Sequence, residues 1–181
     1  MAIKKRSDSV KKLTLSAIFT ALGTIVLTVG VALGPTDLTA VAFASFFIYF
    51  AYIEMRSWYP WMIWAATSIL TAILMPGDGV ALLTYILFGG IYPVFKALFE
   101  KLHPILSWIV KLSYFNTVLS LIIGGSLVIF HIDPEEIGFT WVAYLLGNLV
   151  FVLYDIAMSK LILLYLVKLR DRLGIKKFFE S

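Results

Sequence analysis

LTLSAIFTALGTIVLTVGVAL, residues 13–33, decides the fold of this chain. The run carries no charged residue and has the roughly 20-residue length that a helix needs to cross a bilayer. A secretory signal has an apolar core of only about 7–15 residues, so this longer run predicts a retained span. Gly34-Pro35-Thr36-Asp37 follows and predicts the helix end, because Gly and Pro interrupt helices and Asp caps the next one.

The rest of the chain repeats this pattern of apolar runs and turn signals. Further spans are predicted at about 38–53, 58–75, 80–98, 105–130 and 139–167, with Pro93 kinking the fourth near its end. Of the 181 residues, 61% are hydrophobic and 14% charged, and the mean hydropathy is +0.94. A soluble domain carries about 25% charged residues. The sequence therefore predicts an all-α membrane protein, a compact bundle of six transmembrane helices forming one domain over residues 1–181.

The placement of Lys and Arg predicts the orientation. The loops at 34–37, 76–79 and 131–138 contain no Lys or Arg, but they hold several acidic residues. The other side would hold the basic N-terminus, Arg56, Lys96, Lys101 and a basic tail. Because cytoplasmic loops carry the excess of Lys and Arg, both termini are expected in the cytoplasm of a cell-membrane protein.

Several classes of chemistry have no signal in the sequence. The chain has no cysteine, and His103 and His131 lie far apart. No phosphate-binding loop, nucleophile elbow or zinc-protease motif occurs. We expect that this chain is not an enzyme, and that it binds no cofactor, no metal and no nucleic acid. ATP hydrolysis, if transport needs it, would come from another chain.

Ala17 and Ala21 form a small-x-x-x-small pair on the first span. Residues four apart share one helix face, and small ones let another helix approach closely in lipid. Two interpretations are open at this point. The pair packs inside the bundle, or it docks a separate membrane subunit.

The segment KLTLSAIFTAL, residues 12–22, behind a basic N-terminus, resembles the start of an S component. S components are the substrate-binding membrane subunits of energy-coupling factor (ECF) vitamin transporters. Gly147-Asn148 and the basic exit are similar to the end of such a protein. The architectural resemblance covers the whole chain, whereas the residue resemblance lies mainly in the first span.

The resemblance implies six helices, cytoplasmic termini and capture of a vitamin or related micronutrient from outside. It also implies that Ala17 and Ala21 dock on a transmembrane coupling subunit and that two ATPase subunits drive transport. It does not identify the substrate.

Polar and aromatic residues in the predicted outer halves of the spans are candidates for substrate binding. A ring-shaped ligand needs aromatic stacking and a few aimed hydrogen bonds. Two sets follow helical spacing on one face each, and Asp37 lies on the first outer loop. The predicted substrate-binding residues are Asp37, Thr84, Tyr85, Phe88, Trp141, Tyr144 and Asn148. Trp141 also fits an interfacial aromatic belt, and Asn148 requires a hydrogen-bond partner in either a ligand or another helix.

A set of ionisable residues falls in the predicted inner halves of the spans: Glu54, Lys96, Lys111, Asp155 and Lys160. Such residues usually face the bundle interior and pair with one another. Lys111 and Asp155 are expected to pair, and Glu54 to pair with Arg56 or Lys96. The alternative is a site that contacts a partner on the cytoplasmic side.

Two functions of other classes remain alongside substrate capture. One is a non-transport scaffold or accessory subunit of cell-envelope machinery. The other is a membrane-embedded enzyme acting on lipid through Asp155 and Lys111. The enzyme requires those two residues to reach a cavity open to lipid or water.

Overall fold

The computed structural model describes residues 2–34, 37–55, 58–75, 79–129 and 140–170, and no strand occurs among them. These ranges confirm the all-α class. Arg56, the predicted outer loops at 76–78 and 131–138, and the tail beyond residue 170 lie outside the described residues. The described helices are α1 (Ala2–Ala32), α2 (Asp37–Glu54), α3 (Tyr59–Leu74), α4 (Gly79–Phe99), α5 (Pro104–Ile129) and α6 (Thr140–Leu164).

Five of these helices contain a segment long and apolar enough to cross a membrane. The segments are Asp8–Ala32, Asp37–Glu54, Gly79–Phe99, Pro104–Gly125 and Trp141–Lys168. Helix α3 is apolar but has only 16 residues. At 1.5 Å per residue it measures about 24 Å, less than the roughly 30 Å hydrocarbon core. The five segments are compatible with a multi-pass membrane protein, and the sixth crossing stays a prediction.

Helix α2 lies at the centre of the packing. Helix α1 packs against α2 and α3, and α4 also packs against α2. Small residues on α2, such as Ala44 and Ala51, are buried and let the neighbouring backbones come close. One apolar cluster joins Ile48, Ala51, Met55, Ile63 and Val94 across α2, α3 and α4.

Helix α4 is interrupted in its middle, ahead of Pro93, the residue predicted to kink it near its end. Residues Tyr85–Gly89 form a π-helical section, in which Gly90 N donates to Tyr85 O at 2.8 Å. The α-helix resumes at Tyr92, with Pro93 in its first turn. A proline is tolerated there because the amide of a first-turn residue has no partner within the helix. The disruption therefore begins ahead of Pro93.

Side chains from neighbouring helices bond to carbonyl groups in this interruption. Trp64 on α3 donates its Nε1 hydrogen to Ile86 O at 3.1 Å. Tyr114 on α5 donates its hydroxyl hydrogen to Leu87 O at 2.7 Å. A Cβ at Gly90 would lie only 1.9 Å from Trp64 Cδ1, so this position requires glycine. The irregular part of α4 is thereby fixed to both α3 and α5.

Candidate functional site

A cavity of about 430 Å³ lies between α2, α4, α5 and α6. It occupies the half of the bundle that carries the predicted outer loops. Ligand pockets typically measure about 300–1,000 Å³, so the volume suits a small molecule. The lining residues are Leu38, Val41, Ala42, Val80, Thr84, Phe88, Phe115, Val118, Leu119, Ile122, Ala143, Leu146, Gly147, Val150, Phe151 and Tyr154.

Aromatic rings form the inner end of this cavity. Phe115 and Phe151 are stacked with their ring centroids 4.5 Å apart and an interplanar angle of 11°. Phe88 meets both of them edge to face, at 5.7 and 5.9 Å. Tyr154 lies 5.5 Å from Phe88. These rings, here called the aromatic floor, offer the faces and edges on which an apolar ligand would pack.

The two polar side chains of the lining are already hydrogen-bonded. Thr84 donates its hydroxyl hydrogen to Val80 O in its own helix at 2.7 Å. The hydroxyls of Tyr154 and Ser45 share a hydrogen bond of 2.6 Å that joins α6 to α2 beside the aromatic floor. All other side chains that line the cavity in the described part of the chain are hydrocarbon.

The predicted substrate-binding residues of α4 separate in the structure. Thr84 and Phe88 line the cavity. Tyr85 is 1% exposed and does not line the cavity; it packs in an apolar cluster with Leu27, Val41 and Ala44. The π-helical section beginning at Tyr85 changes which side chains share a face, and simple helical spacing could not anticipate that.

The predicted residues of α6 do not line the cavity. Trp141 is 67% exposed on the surface of the bundle. Tyr144 shares a hydrogen bond of 2.6 Å with Ser120 of α5. Asn148 exchanges two side-chain hydrogen bonds with Asn116 of α5, at 3.0 and 2.9 Å. Of the two partners expected for Asn148, a ligand or another helix, the structure shows the helix.

Asp37 has a local role in the structure. Its carboxylate accepts a hydrogen bond of 2.7 Å from Leu38 N in the first turn of α2. This satisfies one of the free amides at the helix start. Leu38 itself lines the cavity, so Asp37 lies next to its rim. Thr36 and Asp78, polar residues of the first two predicted outer loops, lie outside the described residues.

The sequence interpretation missed the α5 side and most of the α6 side of the cavity. Residues 115, 118, 119 and 122 line it, as do residues 147, 150, 151 and 154. Each set follows the i, i+3, i+4, i+7 spacing of one helical face. The spacing alone could not single them out, because helices that are apolar all round show the same spacing on every face.

A second group of side chains joins α4, α5 and α6 towards the predicted inner side, here called the inner network. Lys96 and Lys111 both contact the carboxylate of Asp155, and Lys111 Nζ lies 2.9 Å from Asp155 Oδ2. Glu100 accepts from the same two lysines, at 2.7 and 3.1 Å. Tyr92 donates its hydroxyl hydrogen to Asp155 Oδ1.

The two lysines and two carboxylates of the inner network balance in charge. Lys96 and Asp155 are each 1% exposed and Lys111 is 4% exposed, whereas the Glu100 side chain reaches solvent. A buried charge without a partner costs several kcal/mol, and here every buried charge has two or more polar contacts. The arrangement ties three helices together and leaves no buried charge uncompensated within it.

Glu54 does not belong to the inner network. It pairs with Arg170 at 2.9 Å and accepts a hydrogen bond of 3.0 Å from the Tyr165 hydroxyl. The expectation that Glu54 pairs with Lys96 was wrong, and Arg56 lies outside the described residues. A π-helical turn, Tyr165–Leu169, continues α6 and brings both partners to Glu54. That turn carries no sequence signal recognised above.

The inner network lines a second cavity of about 430 Å³ between α4, α5 and α6. Lys111, Asp155 and Glu100 contribute to it, with Lys160 at its edge. Trp108 also lines it, and Lys111 Nζ lies 5.3 Å above the Trp108 ring. No group of three or more metal-ligating residues occurs in the described part of the chain.

A chain of contacts links the cavity with the inner network. Phe88 on the aromatic floor stacks on Tyr92 at 5.0 Å between centroids. Tyr92 in turn bonds to Asp155. A ligand that moves Phe88 would therefore act on a side chain that holds the buried carboxylate.

Ala17 and Ala21 are both exposed on the surface of α1. The opposite face of α1 packs inward, where a Cβ at Gly23 would lie 3.4 Å from Thr67 of α3. The alanines therefore face away from this protein's own bundle.

Comparison of the chain with protein-family models, with curated proteins and with solved structures found no match.

Proposed function

We propose that this chain is the substrate-binding S component of an ECF-type importer, as the resemblance of residues 12–22 implies. It captures a vitamin-like micronutrient from outside and passes it on through a membrane coupling subunit and two ATPase subunits. The observation that carries the proposal is the cavity of about 430 Å³ lined by four helices, because such a volume suits one small molecule.

The direction of capture depends on the proposed topology. Six spans place the acidic loops outside and both termini in the cytoplasm, in agreement with the distribution of Lys and Arg. The cavity then lies in the outer half of the bundle and the inner network in the cytoplasmic half. This order suits a protein that loads from outside.

The exposed alanine pair supports a separate membrane partner. Ala17 and Ala21 present a small-residue face to the surroundings of the bundle, and such faces let a second helix approach closely. The proposed partner there is the coupling subunit. The absence of a phosphate-binding loop from the sequence agrees with ATPases on other chains.

A lipid-acting enzyme remains the second candidate because Lys111 and Asp155 both line the inner cavity. The geometry favours it less than substrate capture. Both carboxylate oxygens of Asp155 already accept from amines, so the group would have to leave its partners before acting as a base or nucleophile.

Native mass spectrometry of the protein extracted in mild detergent tests substrate capture. We expect a retained small molecule, and we expect Ala143→Phe to eliminate it because the larger side chain fills the cavity. Ala157→Phe is the matched control, since Ala157 is exposed on the same helix and does not line the cavity. A wild-type protein that is always empty, or an adduct that survives Ala143→Phe, would contradict the proposal.

A further inference from the structure

We propose that the substrate of this cavity is a lipophilic molecule that binds through hydrocarbon and enters sideways from the bilayer, between α2 and α6. The inference rests on the proposed function and names the chemical class of its substrate. It differs from the sequence expectation of a ring held by several aimed hydrogen bonds.

The lining of the cavity is almost entirely hydrocarbon. Among its described residues only Thr84 and Tyr154 carry polar side chains, and both hydroxyls are already bonded. A polar ligand would lose its hydration on entry without gaining equivalent hydrogen bonds, which disfavours its binding. Apolar cavities of this kind stay dry and bind apolar molecules.

The cavity opens on one side of the bundle. The lining residues that are more than half exposed are Leu38 on α2, at 59%, and Leu146 and Val150 on α6, at 52% and 61%. The lining residues on α4 and α5 are at most partly exposed, and Val118 is only 6% exposed. The mouth of the cavity therefore lies between the start of α2 and α6.

The mouth of the cavity lies at the depth of the hydrocarbon core of the bilayer. Val150 lies nine residues after Trp141, where the apolar segment Trp141–Lys168 begins. At 1.5 Å per residue this is about 14 Å, close to half of the roughly 30 Å hydrocarbon thickness. An opening that reaches this depth faces acyl chains. The Tyr154–Ser45 hydrogen bond closes the cleft below it.

The volume limits the size of the bound part. At about 30 Å³ for each water-sized group, 430 Å³ holds about fourteen such groups. This corresponds to a short isoprenoid or acyl chain or to an apolar ring with a short chain, and any polar head would remain at the mouth.

The test uses the full chain in lipid nanodiscs, with farnesol as the apolar probe and nicotinamide as the polar ring probe. We expect farnesol to raise the melting temperature of the wild type and of Ala157→Phe, but not that of Ala143→Phe. We expect nicotinamide to raise none of the three. Nonspecific partitioning of farnesol into lipid would act on all three alike, so equal shifts would overturn the proposal.

The entry route is tested by a bulky maleimide on a single introduced cysteine, since the chain has no other. The label on Val150→Cys, at the mouth, is expected to abolish the farnesol shift. The label on Leu149→Cys is the control, because Leu149 is 58% exposed and does not line the cavity. Equal farnesol shifts for both labelled proteins would overturn lateral entry.

The outcomes separate this inference from the proposed function. A nicotinamide shift that Ala143→Phe removes would overturn the apolar assignment and leave substrate capture standing. A wild type that responds to neither probe overturns the apolar assignment. If native mass spectrometry also finds no retained molecule of any kind, substrate capture fails too.

Discussion

At the residue scale, Asp155 holds together three helices through its contacts with Lys96, Lys111 and Tyr92. Replacing it with leucine leaves two buried lysines with Glu100 as their shared carboxylate partner in the inner network. We expect Asp155→Leu to lower the free energy of unfolding by about 3–5 kcal/mol, the usual cost of breaking a buried pair. Thermal unfolding in detergent measures this loss.

The same carboxylate provides a double-mutant cycle with Lys111. The double change Asp155→Leu/Lys111→Leu is expected to cost less than the sum of the two single changes, because neither partner is left without the other. Lys160→Leu, at an exposed position on the edge of the same cavity, should change stability by less than about 0.5 kcal/mol. Additive effects would show that Lys111 and Asp155 do not interact.

Asn148 is expected to contribute to stability and not to binding. Its amide is paired with that of Asn116, so Asn148→Ala leaves the Asn116 amide without its partner. Interhelical hydrogen bonds in membranes contribute about 0.6–1.7 kcal/mol, and we expect a loss in that range. An unfolding scan paired with a farnesol titration tests this. Unchanged stability with weakened binding would instead place Asn148 at the ligand.

At the scale of the elements, the interruption of α4 positions Thr84 and Phe88 towards the cavity and Tyr85 into the core. Gly90→Ala would force a methyl group against the Trp64 ring, and overpacking of this kind costs about 1–3 kcal/mol. Gly124→Ala on α5 is the control, since nothing lies within 4 Å of its added Cβ. Melting temperatures of the two variants test the close approach of α3 and α4. Equal melting temperatures would show that α4 does not depend on it.

Helix α1 presents the face proposed for docking. Because Ala17 and Ala21 are exposed, replacing both with tryptophan should leave folding intact and block close approach of a partner helix. We expect the variant to lose co-purification with the coupling subunit at an unchanged melting temperature. Leu22→Trp, on an adjacent exposed face of the same helix, should retain the partner. Unfolding of the double variant would assign the alanines to internal packing.

Element positions followed from the sequence because apolar runs and Gly-Pro turn signals delimit helices directly. Side-chain partners did not follow in the same way. The depth of Asn148 in the span implied that its amide has a hydrogen-bond partner. No feature of the sequence singled out Asn116 of α5 as that partner. Glu54 pairs with Arg170, which lies more than a hundred residues away in sequence. The pairing depends on a π-helical turn that the sequence pattern did not predict. When a helix is apolar on nearly all sides, tertiary packing decides which face points into the bundle, and the periodicity of the sequence does not reveal it.

At the scale of the whole molecule, the charged inner network lies directly beneath the aromatic floor of the apolar cavity, and the two are joined through Phe88 and Tyr92. A ligand that displaces these rings would therefore alter the contacts of Asp155, on the side proposed to face the cytoplasm. Capture of the substrate from outside depends on which end faces outward, and therefore on six crossings. Helix α3, with its 16 residues, is the crossing that length alone does not secure.

The most direct test is labelling of single cysteines with a membrane-impermeant thiol reagent in intact cells. The chain has no native cysteine, so each introduced one reports alone. Six crossings with both termini inside predict labelling of Asp78→Cys and Glu135→Cys and no labelling of Lys177→Cys until the cells are opened. Labelling of position 177 from outside would contradict the topology, and with it the capture of a substrate from outside.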